Sequence, residues 1–263
     1  MLKKLLKYDL KWSYKVIVVF YLIGLFFAIL TRIFTSIENS ILFDILGKIT
    51  LGVTISMLIN SLVNVILRSW ARFTSNVYKD EGYLTHTLPV SKKDIYLSKV
   101  LSAITCIFST VLVSLICLFI TSYSKENLEA LKTFLELAAN TYDVTVINLL
   151  LTISLILFLE ITFIVLCGYV GIIIGHKSNR NKMLKSIISG FGIYMIAQTS
   201  ILIIMLIFAL INPDIMNLIK TTENIDLNII KTIMLFAILI YTIYNLTYYF
   251  LGKKLFEKGV DVD

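Results

Sequence analysis

The sequence predicts an all-α integral membrane protein with about six transmembrane helices and with both termini in the cytoplasm. Hydrophobic residues make up 58% of the 263 residues, and the mean hydropathy is +0.87, which is more apolar than a soluble globular domain. The charged residues are gathered into short segments between long apolar runs, as in a helical protein that keeps ionised groups out of hydrocarbon. We therefore expect a single transmembrane domain over residues 1–263.

Six apolar runs are long enough to cross a bilayer, whose hydrocarbon core takes about 20 residues of helix. The expected spans are residues 16–31, 49–67, 100–122, 144–174, 186–211 and 232–251. The first is the shortest, but Lys15 and Arg32 flank it, and their long side chains can reach the polar interfaces. All six runs therefore qualify as spans.

The amino-terminal segment predicts a separate amphipathic helix that lies in the membrane surface. Four leucines fall on one arc of this helix and three lysines on another, namely Leu2, Leu5, Leu6 and Leu10 against Lys3, Lys7 and Lys11. Asp9 is the exception, because it falls within the apolar arc.

The charges of the connecting segments predict the orientation, since Lys and Arg near span ends stay in the cytoplasm. Residues 1–15 carry five Lys and one Asp, residues 68–99 carry six basic and three acidic side chains, and residues 176–185 carry four basic and no acidic ones. The alternate segments are neutral or acidic. The chain is thus expected to be a multi-pass protein of the cell membrane, and its net charge of +7 reflects topology rather than binding to nucleic acid.

The sequence offers no catalytic or metal-binding residue, so we do not expect an enzyme. Cys106, Cys117 and Cys167 lie inside spans, where they are expected to be packing residues. The two histidines, His86 and His176, lie in the cytoplasmic segments, away from any plausible metal cluster or nucleophile.

The cytoplasmic connection over residues 68–99 is much longer than two neighbouring helices need. Trp70, Phe73 and Val77 recur at helical spacing, and Gly82 is typical of a helix end. Ser91 followed by Asp94 resembles a capping box that opens the third span. We therefore expect a short amphipathic cytoplasmic helix that ends at Gly82.

Residues 78–82 and 85–93 of this connection, YKDEG and THTLPVSKK, resemble the first cytoplasmic loop of type-2 ABC exporter permeases. The resemblance implies that the loop holds a coupling helix that docks on a separate ATP-binding subunit. The residues implied in docking are Tyr78, Asp80, Glu81, Gly82, Thr85, Leu88, Pro89, Ser91, Lys92 and Lys93. The plainer alternative is a solvated loop whose charges only set the orientation.

The same resemblance implies the rest of the assembly. The chain would be the permease subunit of an ATP-binding cassette transporter, paired with a second permease chain that is identical or similar. It would export an amphipathic substrate such as a peptide, a lipid or a drug. ATP and magnesium would be bound by the partner ATPase subunit and no cofactor by this chain.

A glycine-containing segment at the end of the fourth span superficially resembles a phosphate-binding loop. Gly171 and Gly175 precede Lys177 and Ser178, but the spacing is wrong and the segment ends a membrane span rather than following a strand. The two glycines are instead typical of a small-residue face for close helix packing.

Polar residues within the spans allow two interpretations. In the second span, Gly52, Ser56, Asn60 and Asn64 fall four residues apart, so they form one stripe along the helix. The stripe either lines a substrate pathway or forms hydrogen bonds between helices. Gln198 in the fifth span and Asn245 in the sixth allow the same two interpretations.

Glu160 is the only charged residue well inside a span. An ionisable group at this depth is costly, so it is a functional candidate that carries a proton or contacts a cationic substrate. The other interpretation is a protonated side chain that is hydrogen-bonded to a neighbouring helix. For the whole chain, an ion-coupled secondary transporter that uses Glu160 and a non-transporting membrane scaffold or sensor remain the alternatives.

Overall fold

The computed structural model describes residues 1–37, 40–122, 133, 146–178, 180–212 and 227–259, and within them it holds helices and no strand. Seven helices follow one another in these described ranges: α1 (Leu2–Thr35), α2 (Ile41–Val77), α3 (Asp80–Thr87), α4 (Lys92–Ser122), α5 (Val146–His176), α6 (Lys182–Ile211) and α7 (Leu227–Glu257). Six of these described helices, all except α3, are long and apolar enough to cross a membrane. The predicted all-α membrane fold is thus confirmed.

The amino-terminal residues do not form a helix of their own. They are the first turns of α1, which runs without interruption from Leu2 to Thr35, so the separate surface helix was a wrong prediction. No glycine or proline occurs before Gly24, and nothing else in the segment breaks the helix. At 1.5 Å per residue α1 is about 51 Å long, well beyond a hydrocarbon core of about 30 Å.

The connection between the second and third spans also differs from the prediction. Trp70 and Phe73 belong to the last turns of α2, which ends at Val77. The short helix is α3, and Gly82 lies inside it rather than at a helix end. The chain turns at Tyr78, which is fully buried next to the buried Val77, so packing sets the break.

The predicted cap at the start of α4 is confirmed. The backbone N–H of Asp94 donates a hydrogen bond to Ser91 Oγ at 3.2 Å, and α4 begins one residue after Ser91. Ser91 therefore satisfies one of the amide groups that the first turn of a helix leaves without a partner.

Contacts divide the chain into two compact units. The first consists of Met1–Asn76 and Leu84–Leu135, and the second of Val77–Tyr83 and Glu136–Asp263. In the first unit α1 packs on α4, and the Tyr21 hydroxyl reaches Thr110 Oγ1 at 2.5 Å. In the second unit α5 packs against both α6 and α7. The chain passes between the units on either side of residues 77–83.

The close packing of α5 on α6 depends on small residues. A Cβ atom added to Gly171 would lie under 3.0 Å from the backbone of Gly190, and one added to Gly175 would lie under 3.0 Å from Ser186. The predicted small-residue face is therefore confirmed, and it lets the two backbones approach closely.

Candidate functional sites

An exposed apolar surface is present on and just after α3. It consists of Leu84 and Leu88, and we call it the α3 tip. Leu84 is 72% exposed and Leu88 is 46% exposed. Such side chains cost free energy in water, so their exposure makes this surface a candidate for an interaction.

The structure distributes the docking residues implied by the sequence over two environments. Tyr78, Gly82 and Thr85 are buried within this chain, so they support the loop rather than present a surface. The exposed ones are Glu81, Leu88, Pro89, Ser91, Lys92 and Lys93, while the side chain of Asp80 lies outside the described residues. Sequence reasoning missed Leu84, because α3 shows almost no amphipathic pattern that would distinguish its faces.

Tyr78 connects the start of this loop to the end of α5 within the second unit. Its ring stacks on His176 with 4.1 Å between the ring centroids and 27° between the planes. The Nδ1 atom of His176 lies 2.9 Å from the Ile172 carbonyl oxygen and 3.2 Å from Ser186 Oγ. The backbone just before α3 is therefore fixed against the close contact of α5 with α6.

A buried ion cluster ties three helices of the first unit together. The Asp9 carboxylate accepts hydrogen bonds from Arg72 Nε at 2.9 Å, Lys99 Nζ at 2.5 Å and Ser98 Oγ at 2.8 Å. Asp9 and Lys99 are each 2% exposed, and Lys99 also donates to the side chain of Asn76. One carboxylate from α1 thus compensates cations from α2 and α4.

Trp12 lies beside this cluster. The Arg68 guanidinium lies 4.2 Å from the centroid of the Trp12 ring, and Arg68 Nη2 donates a hydrogen bond to the Trp12 carbonyl oxygen at 2.9 Å. A cation over an indole ring in this geometry is attracted by the negative face of the ring. The contact therefore adds a second link between α1 and α2.

Most of the polar stripe on α2 is exposed among the described residues. Gly52, Ser56 and Asn60 are exposed, and an added Cβ at Gly52 would meet no atom within 4 Å. The Nδ2 atoms of Asn60 and Asn64 donate to carbonyl oxygens four residues earlier in the same helix, at 2.9 Å each. Among the described residues, the hydrogen bonds of these two amides are thus intrahelical.

The three polar residues of the later spans lie in the second unit. Asn245 donates from Nδ2 to the Leu159 carbonyl oxygen at 3.0 Å, which is a hydrogen bond between α7 and α5. Glu160 is the next residue of α5 and is partly exposed. Tyr241 interacts with both Glu160 and Gln198. The structure therefore brings Glu160, Gln198 and Asn245 into one neighbourhood, centred on α5.

Comparisons with known proteins leave the geometry as the main guide to function. No protein-family model matches the chain, and no curated protein or solved structure is significantly similar to it.

Proposed function

We propose that this chain is the permease subunit of an ATP-binding cassette transporter, with ATP hydrolysed by a separate subunit. The α3 tip is the observation that carries the proposal. It is an apolar surface on a short helix between two spans, in the loop that sequence reasoning places in the cytoplasm. A soluble ATPase would bury this surface on docking.

The construction of the loop supports this role. Tyr78 is buried and stacked on His176 at the end of α5, so a displacement of α3 would act directly on the α5–α6 pair. Ser91 caps α4 on the other side of the loop. A docking helix whose start is held against a span can pass a movement to that span, whereas a solvated loop would absorb it.

Replacing Leu84 by Asp should release the ATPase subunit. A carboxylate placed in an apolar contact would be desolvated without a partner, so we expect loss of at least about 90% of a co-purifying ATPase, equivalent to more than 1.4 kcal/mol. The measurement is gentle purification from native membranes, followed by mass spectrometry of the stoichiometric subunits.

Met183→Asp is the matched control, because Met183 at the start of α6 is also 72% exposed. It should leave the ATPase bound. A chain that purifies without any ATPase would contradict the proposal and would direct attention to transport driven by a proton gradient through Glu160. Equal release by both variants would contradict the assignment of the docking surface.

The proposal includes a second permease chain, and the stripe on α2 is the surface that we assign to it. Exposed amides are poorly suited to lipid, which offers no hydrogen bonds. An amide is both donor and acceptor, so the same stripe on two chains related by a twofold axis can pair with itself. In the exporter this face would also border the substrate pathway.

A cysteine placed at Ser56 should form a disulfide between two chains when membranes are oxidised. Ile55→Cys is the control, since Ile55 is also exposed but is rotated by about 100° around the helix. The native cysteines are free and buried, so their background is small. The measurement is the dimer fraction on a non-reducing gel. Equal cross-linking at the two positions, or none at Ser56, would contradict this interface.

A further inference from the structure

A second candidate site lies within the second unit, where α5 packs on both α6 and α7. Helices α6 and α7 meet each other through side chains: Ser200 Oγ lies 2.6 Å from the Tyr244 hydroxyl, and the rings of Phe208 and Phe236 stack at 3.9 Å. Gln198 of α6 also lines an open cavity, and the other residues that line it belong to α6 as well. The face of α5 around Phe163 is therefore the place where side chains of all three helices meet.

Aromatic rings are clustered at this place. Phe163 of α5 is fully buried, and four tyrosine rings surround it with centroid distances of 5.5 to 6.0 Å: Tyr194 of α6, and Tyr241, Tyr244 and Tyr248 of α7. The four tyrosines are only partly buried, so they retain accessible ring surface. The negative face of a tyrosine ring attracts cations.

A carboxylate lies at the same place. Glu160 precedes Phe163 by three residues, so both lie on one face of α5, and Tyr241 interacts with Glu160. Glu160 is partly exposed, and among the described residues it forms no hydrogen bond or ion pair. The interpretation of Glu160 as a protonated group bonded to a neighbouring helix thus has no hydrogen bond to support it.

No basic side chain of these spans balances the charge of Glu160. The Oδ1 atom of Asn245, one helical turn from Tyr241, is a buried acceptor without a hydrogen-bond partner among the described residues. Residues 144–174, 186–211 and 232–251 contain no Lys, Arg or His. The spans themselves thus supply acceptors and ring faces around Glu160 but no cation to balance it.

We propose that the cluster of partly exposed side chains formed by Glu160 and these tyrosines binds a hydrophobic organic cation. The carboxylate supplies the charge, the rings supply cation–π contacts, and the apolar surroundings favour a ligand with aromatic or alkyl groups. A bare metal ion fits less well, since it requires several oxygen ligands at short distance. The further claim that this cation is an exported substrate rests on the proposed function. Binding of the cation itself requires no ATPase.

The test is equilibrium binding of radiolabelled tetraphenylphosphonium to the full-length protein in nanodiscs of phosphatidylcholine. Tetraphenylborate has the same shape and the opposite charge, so it measures non-specific partition. We expect saturable binding of the cation, weakened about tenfold or more by Glu160→Gln. Asp44→Asn removes an exposed carboxylate of α2 and should change nothing.

Two variants of Tyr241 keep the test decisive if Glu160→Gln fails to fold, which size-exclusion chromatography would reveal. Tyr241→Phe keeps the ring and should retain most of the affinity, whereas Tyr241→Leu should lose it. Cation binding that is unsaturable, equal to that of the anion, or unchanged by both Glu160→Gln and Tyr241→Leu would overturn the inference. A chain that purifies with its ATPase but binds no cation would contradict this binding site and leave the proposed function standing. A chain that binds the cation but purifies without any ATPase would contradict only the proposed function as an exporter subunit.

Discussion

Replacing Asp9 by Asn should lower the free energy of unfolding by about 3–5 kcal/mol, the usual cost of removing one partner of a buried ion pair. Arg72 and Lys99 both donate to the Asp9 carboxylate, and Lys99 is 2% exposed. Asparagine keeps the shape but removes the charge, so two cations lose their compensation in a poorly solvated place. Denaturant-induced unfolding in mixed micelles would measure the effect.

The control for Asp9 is Asp44→Asn, which removes an exposed carboxylate paired with Lys48 within one turn of α2. Exposed pairs contribute about 0–1 kcal/mol, so little change is expected. Combining Asp9→Asn with Lys99→Met should recover part of the loss, because one uncompensated cation is removed as well. A cluster without energetic importance would instead give equal, small effects for Asp9→Asn and Asp44→Asn.

Gly171→Ala should destabilise the contact of α5 with α6 by about 3 kcal/mol, at the upper end of the range for overpacking. The added methyl group would lie under 3.0 Å from the Cα and amide nitrogen of Gly190. Backbone atoms cannot rotate away as a flexible side chain does, so the two helices must move apart. The loss of contact would appear as a lower unfolding midpoint of the purified protein.

Gly192→Ala is the matched control on α6, since an added Cβ there meets no atom within 4 Å. Alanine favours a helix over glycine by about 1 kcal/mol, so this variant should be unchanged or slightly stabilised. A Gly171→Ala protein as stable as the Gly192→Ala protein would show that the two helices are not held at this distance.

Several features were predictable because they depend on neighbours along the chain. The spans follow from runs of about 20 apolar residues, whose length alone decides whether a helix can cross hydrocarbon. The cap at Ser91 is a local signal, since its partner Asp94 is three residues away. The small-residue face of Gly171 and Gly175 could also be predicted from the sequence, because small residues four positions apart lie on one side of a helix.

Other predictions were wrong because the contacts that decide them join residues far apart in the chain. Gly82 has the composition of a helix end, but the break occurs at Tyr78, whose ring is held by His176 far along the chain. The leucines before Trp12 have the pattern of a surface helix, yet α1 continues through them. Asp9 interrupted that pattern, and its partner Lys99 is 90 residues away.

The helical membrane fold, the number of spans and the position of the loop that carries α3 could all be predicted from the order of the residues. Which side chains meet depends on the tertiary structure, as in the pairs of Asp9 with Lys99, Tyr78 with His176, and Glu160 with Tyr241. The exposure of Leu84 and of most of the stripe on α2 depends on it as well. Apolar length and caps are local properties, whereas pairing and exposure depend on how distant helices rotate and pack against one another.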